Sequence, residues 1–233
     1  MQTAKYHTFI FDLDGTLLYT LADLAAAVNY ALRTHQMPER TLDEVRNFVG
    51  NGVRMLMIRA IPDGLQNPQF DEVFSTFRSY YMQHSLDTTR PYDGIPQLLS
   101  QLKAAGMRTA VVSNKFYAAT QELCQHFFPD TVDVAIGEHE AEGIRKKPAP
   151  DTVIEALKKL GVSANDAVYI GDSDVDIETA RNAGLPCISV LWGFRDKSFL
   201  LAHGATRFAA TPSDILQVAN MGNNNSYLFT YIR

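Results

Sequence analysis

The 233-residue chain has two cysteines, one tryptophan and no apolar run of the roughly 18 residues that a membrane-spanning helix needs. Cys124 and Cys187 lie far apart in unrelated apolar contexts, which excludes a disulfide framework and a cysteine metal pair and predicts buried free thiols. The opening MQTAKYHTF lacks the charged, apolar and small-residue parts of a signal peptide, so a cytoplasmic address is expected. The sequon Asn224-Asn225-Ser226 then carries no weight. Basic residues are also scarce: 21 Lys and Arg against 26 Asp and Glu leave a net charge of -5, and the single basic cluster is Arg145-Lys146-Lys147. That balance argues against a nucleic-acid surface. No internal repeat and no long linker is present. What remains is 46% hydrophobic and 20% charged, enough for a real core in one domain with a smaller insert, or in two small domains.

Short apolar runs recur with helical stretches between them, the pattern of a parallel sheet covered by helices. Strands are expected near Tyr6–Phe11, Met107–Val112, Val132–Ile136, Ala167–Ile170 and Pro186–Val190, with a weaker one at Arg207–Ala209. The intervening helices fall at about Pro96–Ala105, Tyr117–His126, Pro150–Leu160, Asp174–Ala183 and Pro212–Ala219. The fold class is therefore α/β, a doubly wound parallel sheet. Far more chain separates the first two strands than one crossover requires, and it reads as helix at Leu21–His35, Leu42–Phe48, Val53–Ala60 and Pro68–Ser85. This predicts a small all-α domain, residues 18–90, inserted after the first strand. The α/β core would be residues 1–17 and 91–220, with an Asn-rich tail at 221–233.

Ligands of open α/β sheets bind outside the carboxyl ends of the strands. Asp12, Asp14, Gly15 and Thr16 follow the first strand, and Ser113, Asn114 and Lys115 follow the second. Lys147 follows the third, and Asp172, Ser173, Asp174 and Asp176 follow the fourth. Four carboxylates gathered at one edge cannot all stay ionised without a cation, because each raises the pKa of its neighbours. Hard oxygen ligands with no His or Cys select Mg²⁺, which keeps positions for phosphate oxygens. Lys147, the Ser113 hydroxyl and backbone N–H groups near Gly15-Thr16 and Asn114-Lys115 suit that phosphate.

Each cluster has a plainer reading. Asp-x-Asp-Gly is also a turn, Ser113 also a strand-end cap, Lys147 also a solvated charge. The run Asp172-x-Asp174-x-Asp176 opens like a calcium loop, but Ile177 and Ala183 occupy the positions that need Gly and Glu. Asp174 suits the first turn of its helix and receives no catalytic role. Four clusters at four strand ends, in order, favour the phosphate site.

The motifs DLDGT (12–16), SN (113–114), KPAP (147–150) and GDSDVD (171–176) resemble those of the haloacid dehalogenase superfamily of Mg²⁺-dependent phosphotransferases, in particular phosphoglycolate phosphatases. The resemblance covers residues 6–219. It implies a Rossmann-like core with a helical cap, and hydrolysis of a small phosphorylated metabolite through an aspartyl phosphate. By it, Asp12 would be the nucleophile and Asp14 the general acid, then base. Asp12, the Asp14 carbonyl and Asp172 would hold Mg²⁺, with Asp176 supporting its water shell. Ser113, Asn114 and Lys147 would anchor the phosphoryl group beside Gly15 and Thr16. The cap stretch FVGNGVRMLM (48–57) would offer Arg54 to a substrate carboxylate, against the alternative that Arg54 is a solvated helix residue. Dehalogenases that resemble this fold lack the second carboxylate, so Asp14 favours phosphate chemistry.

Two departures stand out. Tyr19-Thr20 replaces the Asp-Ser common in relatives near the cap entrance, and the tail after Met221 has no counterpart. A phosphomutase resembling β-phosphoglucomutase fits the same core motifs, and a non-catalytic regulatory binding module is disfavoured by the intact acidic set. Monomer and dimer are equally open.

Overall fold

The computed structural model describes residues 5–138 and 140–220; the tail at 221–233 and its sequon lie outside the described residues. Six strands form one sheet: β1 Thr8–Phe11, β4 Arg108–Phe116, β5 Val134–Glu138, β6 Ala167–Gly171, β7 Cys187–Val190 and β8 Phe208–Ala209. Their order is β5-β4-β1-β6-β7-β8, and every neighbouring pair is parallel. Pleating sends Phe9 and Phe11 to one face and Ile10 to the other, so β1 is apolar on both sides, as a central parallel strand must be. Phe9 and Phe11 meet α5 (Ile95–Ala104), α6 (Tyr117–Phe127) and α10 (Asp214–Asn220) in one core cluster. Ile10 and Tyr169 meet α7 (Asp151–Leu160) and α8 (Asp174–Asn182) in the other. Each fully buried Leu or Phe there contributes about 1.5–3 kcal/mol.

The chain leaves the core through β2 (Leu18–Tyr19) and returns through β3 (Arg90–Pro91), an antiparallel pair. Between them α1 (Leu21–Thr34), α2 (Leu42–Phe48), α3 (Val53–Ala60) and α4 (Phe70–His84) bury a hydrophobic cluster of their own. α2 starts on a capping box, with Thr41 accepting the Glu44 N–H and Glu44 accepting the Thr41 N–H. At the exit point the buried Asp23 carboxylate accepts the backbone N–H groups of Thr88 and Thr89 and both their hydroxyls. The two crossing strands are thereby clasped together.

Three parts of this differ from the sequence expectation. β4 continues through Ser113, Asn114 and Lys115 to Phe116, because its pairing with β5 skips from Val112 to Phe116 and lets the strand carry polar residues past its apolar stretch. A short α9 (Lys197–Ala202), capped by Asp196, follows β7. The paired strands at Leu18–Tyr19 were not foreseen either; two residues offer no alternation to read. Among the described residues no helix is long and apolar enough to cross a membrane.

Candidate active site

The carboxyl ends of β1, β4 and β6 converge on a cavity of about 70 Å³. Asp12, Asp14, Ser113, Asn114, Lys115, Lys147 and Asp172 line its core side, and Leu24, residues 49–53 and Leu56 line the helical side. Most of the polar set is buried. Lys147 Nζ donates to Asp12 Oδ1 (2.7 Å), Asp176 Oδ1 (2.8 Å) and Tyr169 OH (3.2 Å). Its backbone is fixed by Asn114, whose side chain donates to the Lys147 carbonyl and accepts its N–H, each at 2.8 Å. Burial by itself would push the Lys147 ammonium down; Asp12 and Asp176 outweigh that and hold it above its ordinary value.

One oxygen each of Asp12, Asp172 and Asp176 lie within 4.8 Å of one another. Burial and then the Asp176 charge raise the Asp12 carboxyl to about 7, against the pull of Lys147. Asp172 is pushed up by burial, Asp176 and Asp12, and opposed by the Phe194 N–H, 2.6 Å from Oδ2. Asp176 spends both oxygens on the protein: Oδ1 on Lys147 and Tyr169, Oδ2 on the Asp172 and Ser173 N–H groups and the Ser173 hydroxyl. It closes the capping box of α8 and orients its neighbours.

Asp14 lies at the entrance. Its Oδ1 accepts the Thr20 hydroxyl (2.6 Å) and Lys115 Nζ (3.0 Å), and its side chain stands apart from the three-carboxylate cluster. Lys115 is fully buried and also donates to Tyr81 OH of α4 at 2.5 Å. Burial would lower its ammonium, but Asp14 and then Tyr81 hold it above the ordinary value; burial pushes the Tyr81 hydroxyl up to about 12. Four acids (Asp12, Asp14, Asp172, Asp176) face two lysines (Lys115, Lys147) here, an excess of two negative charges. A divalent cation bound by hard oxygens fits that excess.

Several expected contacts are not formed. The Gly15 N–H donates to Leu18 O and the Thr16 N–H to Leu13 O, so both close a turn rather than face a phosphate. The Thr16 hydroxyl is buried without a partner among the described residues, and its carbonyl accepts Trp192 Nε1. Gly15, at φ +82°, is needed where it stands, because a Cβ there would overlap the Asp172 carboxylate. The Asn114 amide gives one N–H and its oxygen to the Lys147 backbone. Arg54 lies outside the cavity lining, with its guanidinium over Phe70 (4.9 Å) and Phe74 (5.7 Å) and half its side chain exposed; those rings offer a face the solvated reading lacked. Tyr19 packs edge-on against Tyr92 beneath Arg90, outside the cavity lining. Sequence reasoning offers Lys115 only through its backbone N–H, not its ammonium, and passes over Phe194 and Arg195. The only signal for Lys115 was its position next to Ser113-Asn114, and the loop after β7 carried none.

The sequence profile of the haloacid dehalogenase-like hydrolases matches residues 9–190. Phosphoglycolate phosphatase of Aquifex aeolicus is 33% identical over 79% of this chain and 84% of its own. N-acetylmuramic acid 6-phosphate phosphatase of Pseudomonas aeruginosa is 30% identical over 94% of this chain and 96% of its own. A crystal structure from Lactobacillus delbrueckii subsp. bulgaricus, of a protein described as a candidate phosphoglycolate phosphatase, superposes with a TM-score of 0.88 at 39% identity, covering 93% of this chain and 99% of that one. A profile spanning the carboxylates after β1 through the end of β7, with relatives matched along most of their length, makes this chain a member of the haloacid dehalogenase-like hydrolases.

Proposed function

We propose that the chain is a Mg²⁺-dependent phosphoric monoester hydrolase acting on a small phosphorylated metabolite, with phosphoglycolate the first substrate to test. The observation that carries this reading is the buried Lys147 bridge to Asp12 and Asp176 inside a cluster with two surplus negative charges. Lys147 occupies Asp12 Oδ1 and leaves the other oxygen for attack. Asp12 and Asp172, with the Asp14 carbonyl, would hold the cation, and Asp176 orients both Lys147 and the Asp172 backbone. When bound, Mg²⁺ supplies charge neutralisation for phosphoryl transfer.

Asp12 attacks phosphorus and the ester oxygen leaves with a proton from Asp14, giving an aspartyl phosphate and the free alcohol. Asp14 then takes a proton from water as that water attacks the same phosphorus, which releases inorganic phosphate and restores Asp12. Both Thr20 and Lys115 bind Asp14 Oδ1, which leaves Oδ2 for the proton. Ser113 binds the transferring group, Lys147 offsets its charge from beside Asp12, and Asn114 acts by holding Lys147. The helices α1–α4, residues 18–90, act as the cap that excludes water. Arg54 takes no part in recognition.

The test is a Mg²⁺-dependent assay of phosphate release over phosphoglycolate, N-acetylmuramic acid 6-phosphate, sugar phosphates, nucleotides and pyrophosphate. Release from one small ester at least tenfold above the rest supports the reading. Isomerisation of a sugar phosphate without net release would make the chain a mutase, and no turnover of any kind a binding module.

A further inference from the structure

We propose that Arg195 is a positioning residue that latches the helical insert over the carboxylates, and that the Phe194-Arg195 pair makes this closure and the placement of Asp172 one event. Arg195 belongs to the sheet side of the molecule, in the loop between β7 and α9. Arg195 lines the cavity, and its guanidinium donates to three carbonyls at the carboxyl end of α2: Nη1 to Arg46 O (3.2 Å), and Nη2 to Asn47 O (3.4 Å) and Val49 O (2.6 Å). Carbonyls at the end of a helix lack intrahelical donors and carry the negative end of its dipole. A planar fork with five N–H groups is suited to several of them at once, as an ammonium is not.

The residue before it points both ways. The Phe194 ring packs on the hydrophobic cluster of α1–α4, while its N–H holds Asp172 Oδ2 at 2.6 Å. At the start of the same loop, Trp192 Nε1 donates to Thr16 O, where the chain leaves the core. One short loop therefore touches the hinge, a carboxylate of the cluster and the insert. Opening the insert removes the partners of Arg195 and the packing of Phe194 together, and loosens the N–H on Asp172.

The proposal rests on the phosphatase reading for its kinetic arm only. The direct test is hydrogen exchange on the full chain without substrate, comparing Arg195→Met, which keeps an apolar stem, with Arg195→Lys. Hydrogen bonds from a charged donor correspond to about a ten- to hundredfold shift in the closing equilibrium. Amides of residues 46–53 should exchange about tenfold faster or more in Arg195→Met and to an intermediate degree in Arg195→Lys, with β4 and β6 unchanged. In turnover, KM should rise by a similar factor for a carboxylated and for a neutral phosphate ester, while kcat stays within about threefold. Unchanged exchange at 46–53 overturns the proposal. So does a KM rise confined to the carboxylated ester, which would make Arg195 a substrate ligand. If the sheet also exchanges faster in Arg195→Met, Arg195→Lys decides: its effect must stay within 46–53. A wild-type chain that turns over neither ester defeats the phosphatase reading, and the exchange result still judges the latch.

Discussion

At the scale of single residues, the two aspartates after β1 differ in what surrounds them. Asp12 is buried against Lys147 and beside two other acids, while Asp14 is partly exposed and steadied on one oxygen by Thr20 and Lys115. The first environment suits a nucleophile assembled with a cation, the second a group that exchanges protons with the cavity. Asp14→Asn should keep Mg²⁺ binding and lower turnover of an alkyl phosphate by about 10²–10⁴; near-normal steady-state rates would refute the assignment. Lys115→Met removes the buried ammonium that joins Asp14 to Tyr81, and should destabilise the fold by about 2 kcal/mol in denaturant unfolding. Arg54→Ala, by contrast, should leave the preference between carboxylated and neutral phosphate esters unchanged when both are assayed side by side, since its guanidinium sits on Phe70 and Phe74.

Elements were more legible in the sequence than contacts were. Buried parallel strands are continuous apolar runs, and the insert helices repeat their apolar positions with helical spacing, so both show in a local window. The expected helix at Leu42–Phe48 is the one observed, and it starts on the Thr41-Glu44 capping box, a signal the helical pattern alone does not include. Thr41→Ala removes the cap, and thermal unfolding should show a loss of about 1 kcal/mol. Ser113-Asn114-Lys115 looks like a loop in sequence, yet β4 carries these residues because their partners are at depth. The links that build the site join distant positions: Lys147 to Asp12 across 135 residues, Lys115 to Tyr81 across 34, and Arg195 to Val49 across 146. The strand-end rule brings the first pair to one edge of the sheet, since both residues follow strands. Nothing local in the sequence marks the second or third, because a buried lysine or a latching arginine reads like any surface cation until the fold supplies its partner.

For the whole molecule, the surplus of acid ties stability to pH and to metal. A carboxyl raised from an ordinary value near 4 to about 7 binds its proton more tightly in the folded chain. Without metal, the Asp12 contribution is therefore present below about pH 4 and is lost as pH rises to about 7. A cation that binds the ionised cluster displaces that proton and reverses the loss. The rise in Tm on adding Mg²⁺ should thus grow as pH increases from about 6 to about 8, whereas a flat increment would count against metal binding at Asp12. Surface acids such as Asp151, held below the ordinary carboxylate range by its hydrogen bond to Arg145, contribute with the opposite pH sign with or without Mg²⁺, which is why the increment rather than Tm itself is diagnostic.

The central claim is that Asp12 itself carries the phosphoryl group. An aryl phosphate whose leaving group needs no proton lets Asp14→Asn complete the first displacement but not the second, so the covalent form should accumulate. The intact mass of Asp14→Asn after mixing with Mg²⁺ and that ester should show one phosphoryl group per chain, on the peptide that contains Asp12 and absent from the Asp12→Asn, Asp14→Asn double variant. Release of phosphate with no phosphorylated chain, or a phosphoryl group that persists without Asp12, would contradict the account.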